Sequence, residues 1–286
     1  MHRLYCYETS FKLFLSHCYK SLFSQIMMVN TIKNVSISLN KDIDLTDSMI
    51  ILGLPTIGLI GSIACNYIAD SLNLKSVGSI RSKYFLPGTI IKDSIPVPPI
   101  RMHYAENGHF DTNGICSSIL TVVSDFPLPQ SAVYPLMDEL LTLAHKRNIS
   151  MFLGLEGIKS EDKNEDHVDV YGVGSTERMN NLLQQHGIED IKDVLIKGLN
   201  GAMLSEQTEN NQDMLCIFTE GHIRYPDSRA AGRLLEKIDA MLPGIHLDLD
   251  PLYKEAEKIE DKIKQYIKQS RKIPESKTMT ITDMYQ

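Results

Sequence analysis

The sequence predicts an α/β layer fold with a mostly parallel sheet, followed by an amphipathic C-terminal helix and a tail. Three observations predict it. From Met49 onward, short apolar runs alternate with segments of helical spacing, and parallel strands need crossovers of that kind. The run MIILGLP ends in glycine and proline and passes at once into TIGLIGSIACNYIADSL, a strand, a tight turn and a helix. The segment GICSSILTVVSDF is apolar enough for a central strand covered on both faces.

The other elements follow in order. KSVGSI reads as a second strand, GTIIKD as a third, and PIRMHYAE as a fourth after the proline-rich IPVPP. QSAVYPLMDELLTLAHKRN is a helix with Leu136, Leu140, Leu143 and Ala144 on one side and basic residues near its end, where they suit the helix dipole. ISMFLGLEG is a further buried strand, IKSEDKNEDH a solvated acidic loop and VDVYGVG a strand. A helix then starts near Ser175, a shorter one lies in GLNGAMLSEQ, and the strand DMLCIFTE and the helix DSRAAGRLLEKIDAML close the series. No internal repeat is visible.

The last regular element differs from the rest. In DPLYKEAEKIEDKIKQYIKQ, residues Leu252, Ala256, Ile259, Ile263, Tyr266 and Ser270 form a heptad seam between mixed charges. Such a helix is about 30 Å long. It packs either on its own domain or against other subunits. The expected organisation is a poorly structured extension at residues 1–27, an α/β domain at 28–249, the helix at 250–272 and a flexible tail at 273–286. The extension is rich in Tyr, Phe and Cys but has neither the apolar centre nor the small-residue cleavage site of a signal peptide. The expectation is that synthesis begins at Met27 or Met28, with a membrane-touching amphipathic arm as the rival reading.

Composition narrows the function classes. A chain of 286 residues with 43% hydrophobic and 23% charged side chains is a globular protein that needs no disulfides to hold a core. Its net charge of -7 offers no basic footprint for nucleic acid. Cys6, Cys18, Cys65, Cys116 and Cys216 are odd in number and never spaced as C-x-x-C, which favours a reducing cytoplasm. No run of 18 or more apolar residues is present to span a bilayer.

Local motifs give little support to catalysis. Gly53, Gly58 and Gly61 lie between a strand and a helix, where backbone N–H groups can hold a phosphate. Their spacing fits neither G-x-G-x-x-G nor a Walker loop, since Leu59 and Ile60 follow Gly58. Close helix-to-sheet packing is the stronger reading of these glycines. EDKNEDHVD offers Asp162, Asn164, Asp166 and His167, but puts His where a calcium loop needs Gly and Val173 where it needs Glu. H-E-x-x-H and G-x-S-x-G are absent, and His103, His109, His145, His222 and His246 are scattered. No metal or cofactor is implied. A triad assembled only in space remains open.

Several segments together resemble the proteasome assembly chaperone 2 family, in particular its archaeal-type members. They are ILGLPTIGLIGSIACNYIADSLNLKSVGSI, FLPGTIIKD, PPIRMHY, VVSDFPLP, GLNGAMLSE and YPDSRAAGRLLEKIDAML, spread from about Met49 to Gln269. The resemblance implies a Rossmann-like three-layer α/β/α domain of phosphorylase-like architecture, homo-oligomeric assembly and binding to the proteasome core particle. Some members of the family end in a hydrophobic–tyrosine–any residue motif that enters pockets between α-ring subunits. Here that motif matches Met284, Tyr285 and Gln286, the expected partner-binding residues. The implied function is a non-enzymatic assembly chaperone or ATP-independent activator. The alternative is a nucleoside or nucleotide enzyme of phosphorylase-like or ATP-grasp type using the loop around Gly58, because fold does not settle function.

Overall fold

Aliphatic runs with no polar face form the middle of the sheet. The computed structural model describes residues 34–105, 114–159, 170–223 and 225–258. Along them run β1 (Val35–Leu39), β2 (Ser48–Gly53), α1 (Ile60–Ser71), β3 (Lys75–Ser82), β4 (Ile90–Lys92), β5 (Ile95–Val97), β6 (Ile100–Tyr104) and β7 (Ser118–Ser124). The chain continues through α2 (Gln130–Arg147), β8 (Met151–Lys159), β9 (Val170–Gly174), α3 (Glu177–Gln185), β10 (Glu189–Asp190), α4 (Gly198–Glu209), β11 (Met214–Gly221) and α5 (Ser228–Met241). Residues 250–258 form the described part of a last helix, α6.

Nine strands make one mixed sheet in the order β1, β3, β6, β7, β2, β8, β11, β9, β10. The central strands β7, β2, β8 and β11 run parallel. Antiparallel pairing extends this centre through β6, β3 and β1 at one end and begins again at β9 on the other. Every residue of β2 and β7 is buried, as a strand covered on both faces must be. Side chains alternate between the two faces. Ile51, Leu153 and Leu215 therefore meet α1, α3 and α5. Ile50, Leu52, Phe152 and Phe218 meet α2 and α4 on the other face. The fold is thus an α/β fold with helices on both sides of the sheet, as the alternation of runs predicts.

Three strands were not foreseen, one of them the two-residue β10, which pairs parallel with β9. VSISL, which precedes Met49, is β1 and pairs antiparallel with β3. Its alternating pattern suits a strand with one covered face. The proline-rich IPVPP holds β5, which pairs with β4 in a two-stranded ribbon outside the main sheet, a place where proline is tolerated. Helix α2 stops where the sequence suggests: Asn148 takes a left-handed φ of 52° after His145, Lys146 and Arg147. Among the described residues no helix is long and apolar enough to cross a membrane.

Candidate functional site

The loop that joins β2 to α1 sits at the carboxyl ends of the parallel strands, the place where open α/β sheets hold ligands. Gly58 and Leu59 are both left-handed, with φ of 62° and 53°. The loop's polar groups are committed to its neighbours. Gly58 O accepts from Asp227 N at 2.8 Å, and Thr56 Oγ1 accepts from Gly157 N at 3.1 Å. Asp227 ties the next element down as well: Oδ1 accepts from Ala230 N at 2.9 Å and caps α5, while Oδ2 accepts from His222 N at 3.1 Å.

The glycines are there for close approach. A Cβ on Gly61 would lie 2.2 Å from Leu155 O, and one on Gly157 would lie 2.1 Å from Ile57 O. Gly53, against Cys65, is as tight. The loop is therefore clamped between β8 and the start of α5, in agreement with the packing reading of Gly58 and Gly61.

Beside it opens a cavity of about 310 Å³, lined in part by Leu59, Ser62, Asn66, Asp70, Asp125 and Glu255. Among the described residues its lining holds three carboxylates and no lysine or arginine. One of them, Asp125, forms an ion pair with the buried Arg101, whose Nη1 also donates to Pro98 O at 3.0 Å. A phosphate placed here meets negative charge, which raises the cost of binding it. That electrostatic balance disfavours a phosphate in this cavity.

A second polar group lies within the layers, between β8, β11 and α4. Asn200 Nδ2 donates to Glu156 Oε2 at 3.1 Å. Burial pushes the Glu156 carboxyl up to about 7, against the opposing pull of that hydrogen bond. Burial also raises the Cys216 thiol, and the nearby Glu156 charge adds to the shift. Asn200 Oδ1 is buried and has no partner. These residues are 44 positions or more from Glu156 along the chain, or reach it only through sheet pairing, so no local motif announces them. Among the described residues no cluster of His, Cys, Asp and Glu is placed to hold a metal.

The described part of α6 packs on its own domain. Leu252 and Ala256, the first two positions of the heptad seam, are both buried, and Leu252 belongs to the core cluster that holds α1 and α5. Tyr253 lies against Gly232, where a Cβ would come within 2.7 Å of its ring, and its hydroxyl donates to Glu236 Oε1 at 2.6 Å. Burial, followed by the bond and charge of Glu236, raises the Tyr253 phenol. Tyr67 OH donates to Asp248 O and ties the segment before α6 to α1. Met284, Tyr285 and Gln286 lie outside the described residues, as do the extension at 1–27, residues 160–167 of the acidic loop, the first two residues of VDVYGVG, and Ile259, Ile263, Tyr266 and Ser270 of the seam.

The architecture thus defines a helix-flanked α/β protein whose strand-end loop is sealed by packing and whose last helix is rooted on the domain. Residues 50–267 match the model of the PAC2 family, and the chain belongs to that family. It is 27% identical over 253 residues to an uncharacterised protein of Methanocaldococcus jannaschii, covering 86% of this chain and 95% of that one. Among solved structures it is similar to Pyrococcus furiosus PbaA, an archaeal homologue of proteasome-assembly chaperone, with 28% identity and a TM-score of 0.73 over 84% of this chain and 94% of PbaA. It shares its fold with Pyrococcus furiosus PbaB, an archaeal proteasome activator, at 18% identity and a TM-score of 0.69 over 82% of this chain and 99% of PbaB.

Proposed function

We propose that the chain is a non-enzymatic, cytoplasmic, homo-oligomeric protein that binds the proteasome core particle, acting as an assembly chaperone or an ATP-independent activator. The observation that carries this reading is the similarity to PbaA along most of both chains. The docking element is the C-terminal Met284, Tyr285 and Gln286, which enter pockets of the α-ring. Their chemistry suits the task. Met284 fills an irregular apolar pocket, Tyr285 adds ring area and a hydroxyl, and the terminal carboxylate pairs with a lysine of the ring.

The root of the tail supports the same reading. Leu252 and Tyr253 hold the start of α6 on the domain, and the tail follows that helix in the chain. Residues 275–286 reach at most about 40 Å. One tail binds weakly because ordering it costs entropy, whereas several tails on one oligomer gain from effective concentration.

The test is a pulldown of purified core particles with the full chain, with a chain lacking Met284–Gln286 and with Tyr285→Ala, followed by peptide hydrolysis on the same samples. Loss of binding by both variants is the expected result, and full retention by both rejects tail docking. Faster hydrolysis in the bound sample identifies an activator; unchanged hydrolysis identifies an assembly factor.

A further inference from the structure

The polar pair between β8 and the first turn of α4 is asymmetric. Asn200 is 2% exposed, and the two ends of its amide face different surroundings. Nδ2 donates to Glu156 Oε2 at 3.1 Å, while Oδ1 lies over the backbone of Gly154 with no hydrogen-bond partner. A Cβ on Gly154 would lie 2.8 Å from that oxygen and 3.0 Å from Cys216 Sγ, so the orphan oxygen and the sulfur flank the same glycine. Helix α4 has no side-chain cap at its start, and Leu199 and Asn200 are the buried residues of its first turn. The bond to Glu156 is therefore part of what holds that turn on the sheet.

A carboxamide turned over by half a rotation keeps its shape but exchanges a donor for an acceptor. An ionised carboxylate only accepts, so it selects the nitrogen, which is the orientation seen here, and Oδ1 is left buried without a donor. A protonated carboxyl has an O–H to give. Facing it with Oδ1 satisfies that oxygen and turns Nδ2 towards Gly154 and the Cys216 sulfur, a weak acceptor. Each protonation state of Glu156 thus suits one orientation of Asn200, and the protonated one leaves neither end of the amide without a partner. From β11 the titratable group beside Glu156 is Cys216, whose thiol burial keeps protonated. From α4 it meets Asn200, and Lys197 before the first turn is exposed. β2 and α2 bring Leu52, Leu136 and Leu140 to this layer, none of them ionisable.

We infer that Glu156 and Asn200 form a proton-operated latch on the first turn of α4, firm when the carboxamide oxygen faces a protonated Glu156 and weakened when its nitrogen faces an ionised one. Folded Glu156 keeps its proton up to about pH 7, against an ordinary value of 4.5. The latch is therefore at full strength below pH 4.5, loosens as the pH rises and is weakest above pH 7. Opening of the turn admits water to the carboxylate and to the orphan oxygen, so ionisation favours it. The opening is local, because Met203 and Gln207 keep the rest of α4 buried. It loosens the end of the β10–α4 loop, on which Val194 and Leu195 are exposed. The latch involves neither the tail nor the core particle, so failure of tail docking leaves it untouched.

The experiment is amide hydrogen exchange of the full chain at several pH values from about 5 to 8, read by mass spectrometry on peptides from α4 and α2 and corrected for the chemical effect of pH on exchange. Protection of the first turn of α4 is expected to fall at least about tenfold between pH 5 and pH 7 and to level off above, where the turn exchanges well ahead of α2. In Glu156→Gln the turn should stay protected throughout, since glutamine does not ionise. In Asn200→Leu the carboxylate loses its donor, so protection should go on falling past the point where the wild type levels. A wild-type profile independent of pH overturns the inference, as does a Glu156→Gln chain that keeps the wild-type fall. Exchange of the turn in step with α2 above pH 7 also overturns it, because the opening is then global. So does an Asn200→Leu profile that levels where the wild type does, because the amide then has no part in the latch.

Discussion

The parallel centre of the sheet and the β4–β5 ribbon are both written in apolar residues, yet they use them in opposite ways. Ile51, Leu153 and Phe218 lose all contact with solvent, whereas Ile91 and Ile95 remain 60% and 63% exposed. The difference lies in what covers them. The central strands have helices on both faces, while the ribbon has two strands of three residues each, too little to bury its own side chains. Hydrophobicity along a chain becomes burial only where the topology supplies a second layer. Elsewhere it leaves an apolar surface that another molecule can cover.

The largest expected effect breaks the covered side of that comparison. Phe218→Ala removes a fully buried ring packed on the α2–α4 face, and should cost about 3–5 kcal/mol of unfolding free energy in urea titration. A loss below about 1 kcal/mol would mean that the centre collapses around the cavity and is less tightly determined than its burial implies. Gly157→Ala tests the same region through the backbone. Its new Cβ meets a carbonyl rather than a flexible side chain, so a loss of about 1–3 kcal/mol or more is expected on the same titration.

Glu156→Gln should act in the other direction, and with a pH signature. Folded Glu156 keeps its proton up to about pH 7, against an ordinary value of 4.5. The folded state therefore binds the proton more tightly than the unfolded chain. Its contribution to stability is complete below pH 4.5, falls as the pH rises and is gone above pH 7. Glutamine is neutral throughout. Relative to wild type, the variant should gain stability across that window, by at most about 3 kcal/mol above it, and its amide can also donate to the unpartnered Asn200 Oδ1. Parallel stability curves for the two proteins from pH 4 to 8 would show that Glu156 is not held neutral.

Asp227→Ala sits at the rim of the centre, where α5 begins. It removes the cap on Ala230 N and the acceptor for His222 N, so about 1–2 kcal/mol should be lost. Asp227→Asn keeps one acceptor oxygen and should recover part of that. Equal losses in the two variants would assign the effect to backbone placement at Asp227 N–H rather than to its carboxylate.

These residues differ in how far the sequence announces them. The β2 run MIILG and the β7 run SILTVVS are continuous apolar stretches, and such stretches name their place in a covered sheet without help from the rest of the chain. Leu252 and Ala256 were legible for a similar reason, because a heptad seam is local. VSISL was not, since five alternating residues carry a weak signal, and β5 was hidden by prolines that usually mark connections. The role of Gly61 and Gly157 becomes visible only when β8 is laid against the β2–α1 loop. Asp227 and Asn200 are likewise defined by partners brought together through pairing, not by neighbours in the chain. For the candidate site, the proposal of Met284, Tyr285 and Gln286 comes from a terminal motif together with the family resemblance and lies outside the described residues, while the sealing of the Gly58 loop and the carboxylates beside it are properties of the folded sheet.

The smallest effect on stability sharpens the exposed side of the comparison. Ile91→Thr keeps a β-branched side chain on β4 and removes apolar surface that is already mostly in water. The unfolding free energy should change by no more than about 0.5 kcal/mol. A loss of more than about 1 kcal/mol in the monomer would place a cover over Ile91 within a single copy. The ribbon would then be a small satellite of the core, and its apolar residues would need no second molecule to account for them.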